Sequence, residues 1–347
     1  MKDLTPLIGM TLEQLQHVAA ECGMPRFAAG QMCRWLYEKR VTEIDQMTDL
    51  SKQARARLAE NYTVGLEPPL ASATSADGTV KYLFRGCGGR SVETVYIPDG
   101  ERATLCVSSQ AGCRMGCTFC MTGRQGYHGD LSASQIMNQV FAIPESLSLT
   151  NIVFMGMGEP LDNLDAVLQA IEVLTAPWGL AWSPKRITVS SIGKMPQLKT
   201  LLDKTKVHVA ISLHSPVAAQ RAELMPVERA FPIRKVLDTL RGYDFSHQRR
   251  LSFEYIMWQG VNDSLRYAQT LARLLDGLDC RVNLIRYHSS GDNPGEPVCS
   301  QPQTMEEFRD RLNQLGITAT IRTSRGEDIA AACGMLAGEH DNNNNQK

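Results

Sequence analysis

The sequence predicts an α/β protein whose main part is a partial (β/α)6 TIM-like barrel, preceded by a small N-terminal helical domain and a short β linker. From residue 103 onward, short apolar runs alternate with helical segments, which is typical of a parallel sheet. Six such units are fewer than the eight of a closed barrel. The residues of unusual chemistry follow the ends of these runs, where barrels of this kind carry their active sites.

The predicted barrel strands are short and mostly apolar. They cover residues 105–108, 151–155, 186–191, 207–213, 251–256 and 282–285, with a further strand at 318–322. Helices are predicted in the intervening segments, for example over 132–143, 166–174, 233–241 and 266–275. Each strand is thus followed by a helix that can return the chain to the same edge of the sheet.

Residues 1–70 are predicted to form the helical domain. Thr11 and Gln14 make a capping box, and further helices are expected over 27–37 and from Ser51 onward. The domain either covers the barrel or docks a substrate. Its basic residues are interleaved with acidic ones, so its composition does not decide between the two roles. Residues 71–98 are expected to be the β linker, which carries Glu93, and 99–338 the barrel with a C-terminal cysteine segment. Residues 339–347, rich in asparagine, are predicted to be a disordered tail.

Composition limits the class of protein. The chain has 43% hydrophobic and 21% charged residues, no long apolar run and no apolar N-terminal leader, so we expect a soluble cytoplasmic protein without a membrane partner. Ten cysteines in such a chain indicate thiols kept reduced, as ligands, catalysts or core residues. A net charge of −1 gives no support for nucleic-acid binding, although local basic patches remain compatible with it.

Three closely spaced cysteines, Cys113, Cys117 and Cys120, form a C-x3-C-x2-C motif that predicts a metal site. A structural zinc site and a ferredoxin-type [4Fe–4S] cluster each take four protein ligands, whereas this local set ends at three. One iron would then be open to a small molecule, which is the arrangement of an enzyme. A loop of free thiols, or a zinc site completed by a distant residue, is the alternative.

An amino acid that chelates through its amino and carboxylate groups could occupy the open iron, and S-adenosylmethionine is such a ligand. A reduced cluster can cleave its sulfonium bond to generate a radical. Gly158 would allow close backbone approach, and Glu159, Ser190 and Ser212 would supply polar contacts from neighbouring strand ends. Each of these residues alone is a weak signal.

The cysteine motif resembles that of the radical S-adenosylmethionine superfamily, and nearly the whole chain is similar to the RlmN/Cfr family of RNA adenine methyltransferases. The matching segments are residues 93–95, 104–110, 155–160, 212–214 and 324–334. This resemblance implies a [4Fe–4S] cluster, S-adenosylmethionine as cofactor and methyl donor, and 23S ribosomal RNA as substrate, with transfer RNA as a further candidate. It also implies an external electron donor such as flavodoxin or ferredoxin, and we expect a monomer.

The resemblance assigns roles to two cysteines outside the cluster motif and to one acid. Cys333 would first be methylated, and a 5′-deoxyadenosyl radical would take hydrogen from its methyl group. The resulting carbon radical would add to the adenine. Glu93 would remove the ring proton, and Cys106 would attack Cys333 to release the RNA and form a transient disulfide. We therefore expect Cys106 and Cys333 to lie within disulfide reach or on mobile segments.

The same resemblance implies a set of cofactor-binding residues, which are Gly158, Glu159, Ser190, Ser212, Leu213 and His214. His288 stands where the family usually has an asparagine that contacts the cofactor. An imidazole can still offer one donor or acceptor, so the resemblance leaves undecided whether His288 makes this contact.

Two questions remain open at this point. The family methylates either C2 of adenosine, a housekeeping reaction, or C8, which confers antibiotic resistance, and we favour C2. Readings from other classes are a non-catalytic Fe–S electron-transfer protein and a radical enzyme acting on a small molecule or protein. The electron-transfer reading would need neither a cofactor pocket nor a paired Cys106 and Cys333.

Overall fold

A ten-stranded mixed sheet forms the centre of the protein in the computed structural model, which describes residues 4–246, 249–288 and 297–337. The predicted tail at 339–347 lies outside these residues. The strands are β1 (Thr5–Pro6), β2 (Tyr62–Thr63), β3 (Ala71–Thr74), β4 (Val80–Arg85), β5 (Ser91–Asp99), β6 (Arg102–Cys106), β7 (Gln110–Gly112), β8 (Tyr127–Asp130), β9 (Asn151–Phe154), β10 (Ile187–Ser191), β11 (His208–Ser212), β12 (Leu251–Met257), β13 (Arg281–Arg286) and β14 (Thr318–Ile321).

The helices lie at the N-terminus and between the barrel strands. They are α1 (Leu12–Glu21), α2 (Ala28–Cys33), α3 (Lys52–Ala59), α4 (Met121–Arg124), α5 (Ala133–Phe141), α6 (Leu164–Thr175), α7 (Gln197–Lys204), α8 (Ala218–Leu224), α9 (Ile233–Leu240), α10 (Leu265–Leu274) and α11 (Pro302–Gln314). None of the helices in the described residues is long and apolar enough to cross a membrane.

The parallel part of the sheet has the order β6-β9-β10-β11-β12-β13-β14, so each strand pairs with the next one along the barrel. The sheet stays open, because β14 forms one edge and the antiparallel strands β5, β4 and β3 extend the other. The predicted partial barrel is confirmed. β12 is buried along its whole length, as expected for a parallel strand covered on both faces.

The N-terminal helices pack directly on the barrel. The capping box of Thr11 and Gln14 starts α1 as predicted. The helix predicted over 27–37 is interrupted, because α2 continues as a π-helical turn over Arg34–Glu38. In that turn Tyr37 is buried, its hydroxyl donates to the Met10 carbonyl over 2.5 Å, and its ring contacts those of Phe141 and Trp178. The N-terminal helices therefore share a hydrophobic core with the barrel.

Candidate active site

A cavity of about 820 Å³, including its open mouth, lies where the parallel strands end at their C-termini. It gathers most of the residues that the sequence suggested for the site. Those that line it are Cys113, Cys117, Cys120, Gly158, Glu159, Ser190, Ser212, His214 and Cys333. The tertiary structure thus brings together the cysteine loop, the ends of β9, β10 and β11, and the C-terminal segment.

The three cysteines of the loop lie close enough to influence one another. Burial raises the pKa of Cys113 to about 12, with Glu159, Cys120 and Asp162 adding to the effect. Burial likewise raises the pKa of Cys117, and Cys120 and Cys113 add to it. Binding of metal to such thiols displaces their protons.

The donor set fits an iron–sulfur cluster better than a single ion. Among the described residues, no three His, Cys, Asp or Glu side chains converge to hold one metal ion. Zinc needs its ligands at one point. In a four-iron cluster each thiolate binds a different iron, so the three sulfurs can stand apart around a common cavity.

Gly158 and Glu159 shape the loop after β9. Gly158 has a positive φ of 99°, and a Cβ there would lie 2.5 Å from the Cβ of Gln110, so only glycine fits. Glu159 is buried, and its two carboxylate oxygens accept the amide protons of Leu161 and Ile192, each over 3.0 Å. Burial raises the pKa of Glu159 to about 7. This carboxylate therefore links the loop after β9 to the loop after β10.

His214 follows β11 and presents a neutral ring to the cavity. Its Nδ1 accepts the Ile256 amide proton over 3.1 Å, which leaves the ring proton on Nε2. Burial lowers the pKa of His214 to about 3. The Phe119 ring packs edge-on against it at 4.8 Å between centroids. Leu213 is fully buried and is not among the cavity-lining residues.

Arg221 is a fully buried cation that contacts the backbone at the end of β11, and its role was not predicted from the sequence. Its guanidinium pairs with Glu228 and donates to the carbonyls of Leu213 at 3.1 Å and Ser212 at 2.9 Å. It also interacts electrostatically with Cys117 and lowers the pKa of that thiol, against the larger effect of burial. Arg221 therefore holds in place the backbone that carries the expected cofactor contacts.

Cys106 and Cys333 are both free thiols. Cys106 is buried at the end of β6, whereas Cys333 is exposed to the cavity. Burial raises the pKa of Cys106, and the neighbouring Cys333 adds to this rise. Cys333 opens into the cavity but is surrounded by protein, and the resulting desolvation raises the pKa of its thiol, with Glu254 adding to the rise. The two thiols are therefore close enough to interact electrostatically, and both are protonated at neutral pH while they remain in this arrangement. That they lie within disulfide reach stays a prediction.

Glu93 is buried, although a glutamate on a strand usually faces solvent. It lies two residues before Val95, which pairs with Cys106, so Glu93 and Cys106 share one face of the sheet. One carboxylate oxygen is 2.9 Å from Nζ of Lys81, and the other accepts the amide proton of Ala337 over 2.8 Å. The carboxylate therefore contacts the C-terminal segment that carries Cys333.

Two hydrogen bonds hold the C-terminal segment just after Cys333. The amide of Met121 donates to the Gly334 carbonyl over 2.8 Å, and the Thr122 hydroxyl donates to the Leu336 carbonyl over 2.6 Å. Ala330 has a φ of 50°, in the left-handed region that non-glycine residues rarely occupy. The segment is thus tied to the helix that follows the cysteine motif and begins at a strained residue.

His288 lies apart from the cavity lining. Its Nε2 is 2.9 Å from the Ser324 hydroxyl, and its Nδ1 is 3.8 Å from the Glu327 carboxylate. Burial lowers the pKa of His288, while Glu327 acts in the opposite direction. In this arrangement His288 contacts the C-terminal segment, and its cofactor contact stays a prediction.

Glu254 also lines the cavity, and the sequence did not suggest it as a site residue. It is buried within β12, where Asn283 donates to its carboxylate over 2.7 Å and Ser252 over 3.1 Å. Burial raises the pKa of Glu254. A glutamate inside an apolar strand that is buried on both faces is unusual, and this pattern was the available signal.

Comparison with known proteins agrees with this fold and site. Residues 107–270 match the radical SAM superfamily, and residues 5–64 match the ribosomal RNA large subunit methyltransferase N-terminal domain. A crystal structure of a radical SAM methyltransferase from Sphaerobacter thermophilus is similar, with a TM-score of 0.89 and 39% identity over 96% of this chain and 99% of that one. Fold, cysteine loop and cavity therefore define a radical S-adenosylmethionine protein, a class that uses a [4Fe–4S] cluster and S-adenosylmethionine.

Relatives over the full length narrow the class further. A protein of Bacteroides fragilis is 57% identical over 96% of this chain and 96% of its own length, and one of Parabacteroides distasonis is 55% identical over 97% and 98%. Both carry the name probable dual-specificity RNA methyltransferase RlmN. A protein of Alkalilimnicola ehrlichii named dual-specificity RNA methyltransferase RlmN is 41% identical over 96% of this chain and 94% of its own. The chain belongs to the RlmN family.

Proposed function

We propose that this protein methylates C2 of an adenosine in 23S ribosomal RNA, and an adenosine of transfer RNA as a second substrate, through a methyl group carried on Cys333. The observation that supports this most directly is the second pair of thiols beside the cysteine loop. Cys333 lines the same cavity as Cys113, Cys117 and Cys120, and Cys106 is close enough to interact with it electrostatically. An electron-transfer protein would have no use for that pair.

S-adenosylmethionine bound at the cluster supplies a methyl group and a radical. Cys333 is suited to carry the methyl group, because its thiol reaches the cavity on a segment held at Gly334 and Leu336. Removal of one hydrogen atom from the methyl group on Cys333 would leave a carbon radical that can add to adenine C2, a carbon that is not nucleophilic and so does not take a methyl cation. The adduct would then lose one electron, for which the cluster would be the acceptor, and the ring proton. The Cys333 sulfur then links protein to RNA.

Glu93 is suited to take the proton from the adenine ring. Its two oxygens contact Lys81 and Ala337. A carboxylate has about four lone-pair directions, so lone pairs of Glu93 remain available to accept the ring proton. Cys106 shares its face of the sheet and would attack the Cys333 sulfur. This step would form a Cys106–Cys333 disulfide and break the sulfur–carbon bond, and the released carbon would take up a proton to become the methyl group of the RNA. Burial keeps Cys106 protonated, so this step needs a base or a shift of the C-terminal segment to generate the thiolate.

The proposed roles predict opposite behaviour for the two cysteines. Cys106→Ala should remain covalently attached to RNA, because the thiol that breaks the thioether is absent. Cys333→Ala should neither methylate nor cross-link. Gel separation of protein–RNA adducts under denaturing conditions measures both, with Cys33→Ala, a buried cysteine of α2, as the matched control. Free turnover by either active-site variant would remove this mechanism.

Product analysis tests the reaction itself. Reconstituted enzyme is incubated with S-adenosylmethionine, a reductant and 23S RNA or transfer RNA, and the digested nucleosides are identified by mass and chromatography. We expect 2-methyladenosine. If 8-methyladenosine forms, the position of methylation is wrong while the radical mechanism stands, and absence of any modified base contradicts the proposal.

A further inference from the structure

A second cavity lies at the opposite end of the barrel, where the parallel strands begin. Lys185 precedes β10, His208 begins β11, Arg250 precedes β12 and Arg281 begins β13. The cavity measures about 600 Å³, including its open mouth. Five strand residues span roughly 17 Å, and this length separates it from the cysteine loop. It is therefore distinct from the candidate active site.

Positive charge dominates this cavity. Four of its lining residues are cations, and Asp279 is the carboxylate among them; the cations are Lys185, Arg249, Arg250 and Arg281. Of the ion pairs in the described part of the chain, none includes any of these four. Asp203 interacts with Arg249 from the neighbouring helix end. The cavity thus carries an excess of positive charge.

These cations lie close enough to oppose one another. Burial lowers the pKa of Arg250, and Arg281 and Arg102 lower it further. Burial lowers the pKa of His208 to about 4, and Arg250, Lys185 and Arg249 contribute. Repulsion among like charges raises the free energy of the folded state, and an anion bound between them would relieve it.

Arg249 is fixed in place and keeps a spare donor. It is only 4% exposed, and its guanidinium donates to the carbonyls of Leu202, over 2.7 Å, and Thr205. Its Nε–H has no partner within the residues that the structure describes. A buried, already oriented guanidinium loses little side-chain entropy when it binds a ligand.

We propose that this cavity is a binding site for a phosphate group, either of an RNA strand or of a small phosphorylated molecule. Guanidinium groups bind phosphate oxygens in a bidentate manner, and several cations match the charge of a phosphate. The proposal goes beyond the methyl transfer proposed above, which takes place at the other end of the barrel.

Calorimetric titration of the full-length protein with inorganic pyrophosphate tests the site. The variant is Arg250→Gln with Arg281→Gln, because both side chains are exposed and their loss should leave the fold intact. We expect pyrophosphate to bind the wild type and to bind the double variant about tenfold or more weakly. Arg273→Gln, an exposed arginine of α10, is the matched control and should bind as the wild type does.

The salt dependence of RNA affinity separates the two sources of phosphate. If the site holds the RNA strand, the slope of log K against log salt should fall by about 1.4 in the double variant, the value for two lost contacts to a single strand. An unchanged slope together with weakened pyrophosphate binding assigns the site to a small phosphorylated molecule. If the double variant matches the wild type in both measurements, the proposal is overturned. Methylation in low salt should stay unchanged throughout, which keeps this test separate from that of the proposed function.

Discussion

Substitution of Arg221 tests how the backbone at Ser212 and Leu213, which is expected to contact the cofactor, is supported. Arg221→Met removes the partner of the buried Glu228 and leaves the Ser212 carbonyl without the Arg221 donor. The Leu213 carbonyl also loses Arg221 but keeps the Ser215 amide, which donates to it over 2.7 Å. Breaking a buried ion pair from one side costs about 3–5 kcal/mol. The lost hydrogen bond to the buried Ser212 carbonyl adds about 1 kcal/mol or more. We therefore expect Arg221→Met to lower the free energy of unfolding by at least about 4 kcal/mol.

A second substitution shows whether the uncompensated charge is the cause. Glu228→Gln keeps an oxygen to accept the Ile233 amide proton, which Glu228 now accepts over 2.9 Å, but removes the charge. The double variant Arg221→Met with Glu228→Gln should therefore lose clearly less stability than the sum of the two single changes, by about 2 kcal/mol.

Urea unfolding of the cluster-free chain measures these differences, and changes in the midpoint at constant m-value report stability. Arg229→Met is the matched control, because Arg229 is exposed and follows Glu228 directly, and it should stay within about 0.5 kcal/mol of the wild type. The reasoning is refuted if Arg221→Met behaves like this control, or if the two single effects simply add.

Three further predictions concern other parts of the molecule. Lys81→Met should leave Glu93 without its cation and reduce methylated RNA more than 5′-deoxyadenosine, both measured by mass spectrometry. Gly158→Ala should destabilise the protein and weaken S-adenosylmethionine binding in calorimetry, since the added Cβ meets Gln110. His208 has a folded-state pKa near 4 against an ordinary 6.5, so the unfolded chain binds more protons between these values and stability falls as pH falls through this window. His208→Gln should flatten that fall in urea midpoints taken from pH 7 to pH 4.

Each of these has a control within the same chain. Arg85→Met removes an exposed cation at the end of β4 and should leave both products unchanged. Gly30→Ala lies in α2 with open space around the new Cβ and should be neutral or stabilising. His17→Gln removes an exposed histidine of α1 and should keep the acid-side fall. Equal effects of a variant and its control would contradict the corresponding argument.

The barrel strands were largely predictable because their pattern is local. Six predicted strands and the further one at the end match β6 and β9–β14 within a few residues at each end. The cysteine motif also lies in one short loop, so spacing alone predicted a site with three thiols. The N-terminal helix beginning at Ala28 was predicted as continuous, and its π-helical turn was not predicted. Tyr37 in that turn contacts Met10 and Phe141, which are distant in the sequence.

The residues that sequence reasoning missed depend on contacts between distant segments. Nothing near Arg221 in the chain indicates that it reaches the carbonyls of Ser212 and Leu213. Likewise, a cluster of four cations at the starts of three strands is invisible along the sequence, where Lys185 and Arg281 are far apart. Their proximity arises only when parallel strands place their N-terminal ends at one edge of the sheet.

The sequence by itself determined the alternating strands and helices and the local set of three thiols, because periodicity and ligand spacing act over a few residues. Only the tertiary structure decided that Glu93 is buried against the C-terminal segment and that Cys333 comes close enough to Cys106 to interact with it electrostatically. The physical reason is that these contacts depend on strand register and on the return of the chain to the open end of the barrel. Local sequence encodes neither of them.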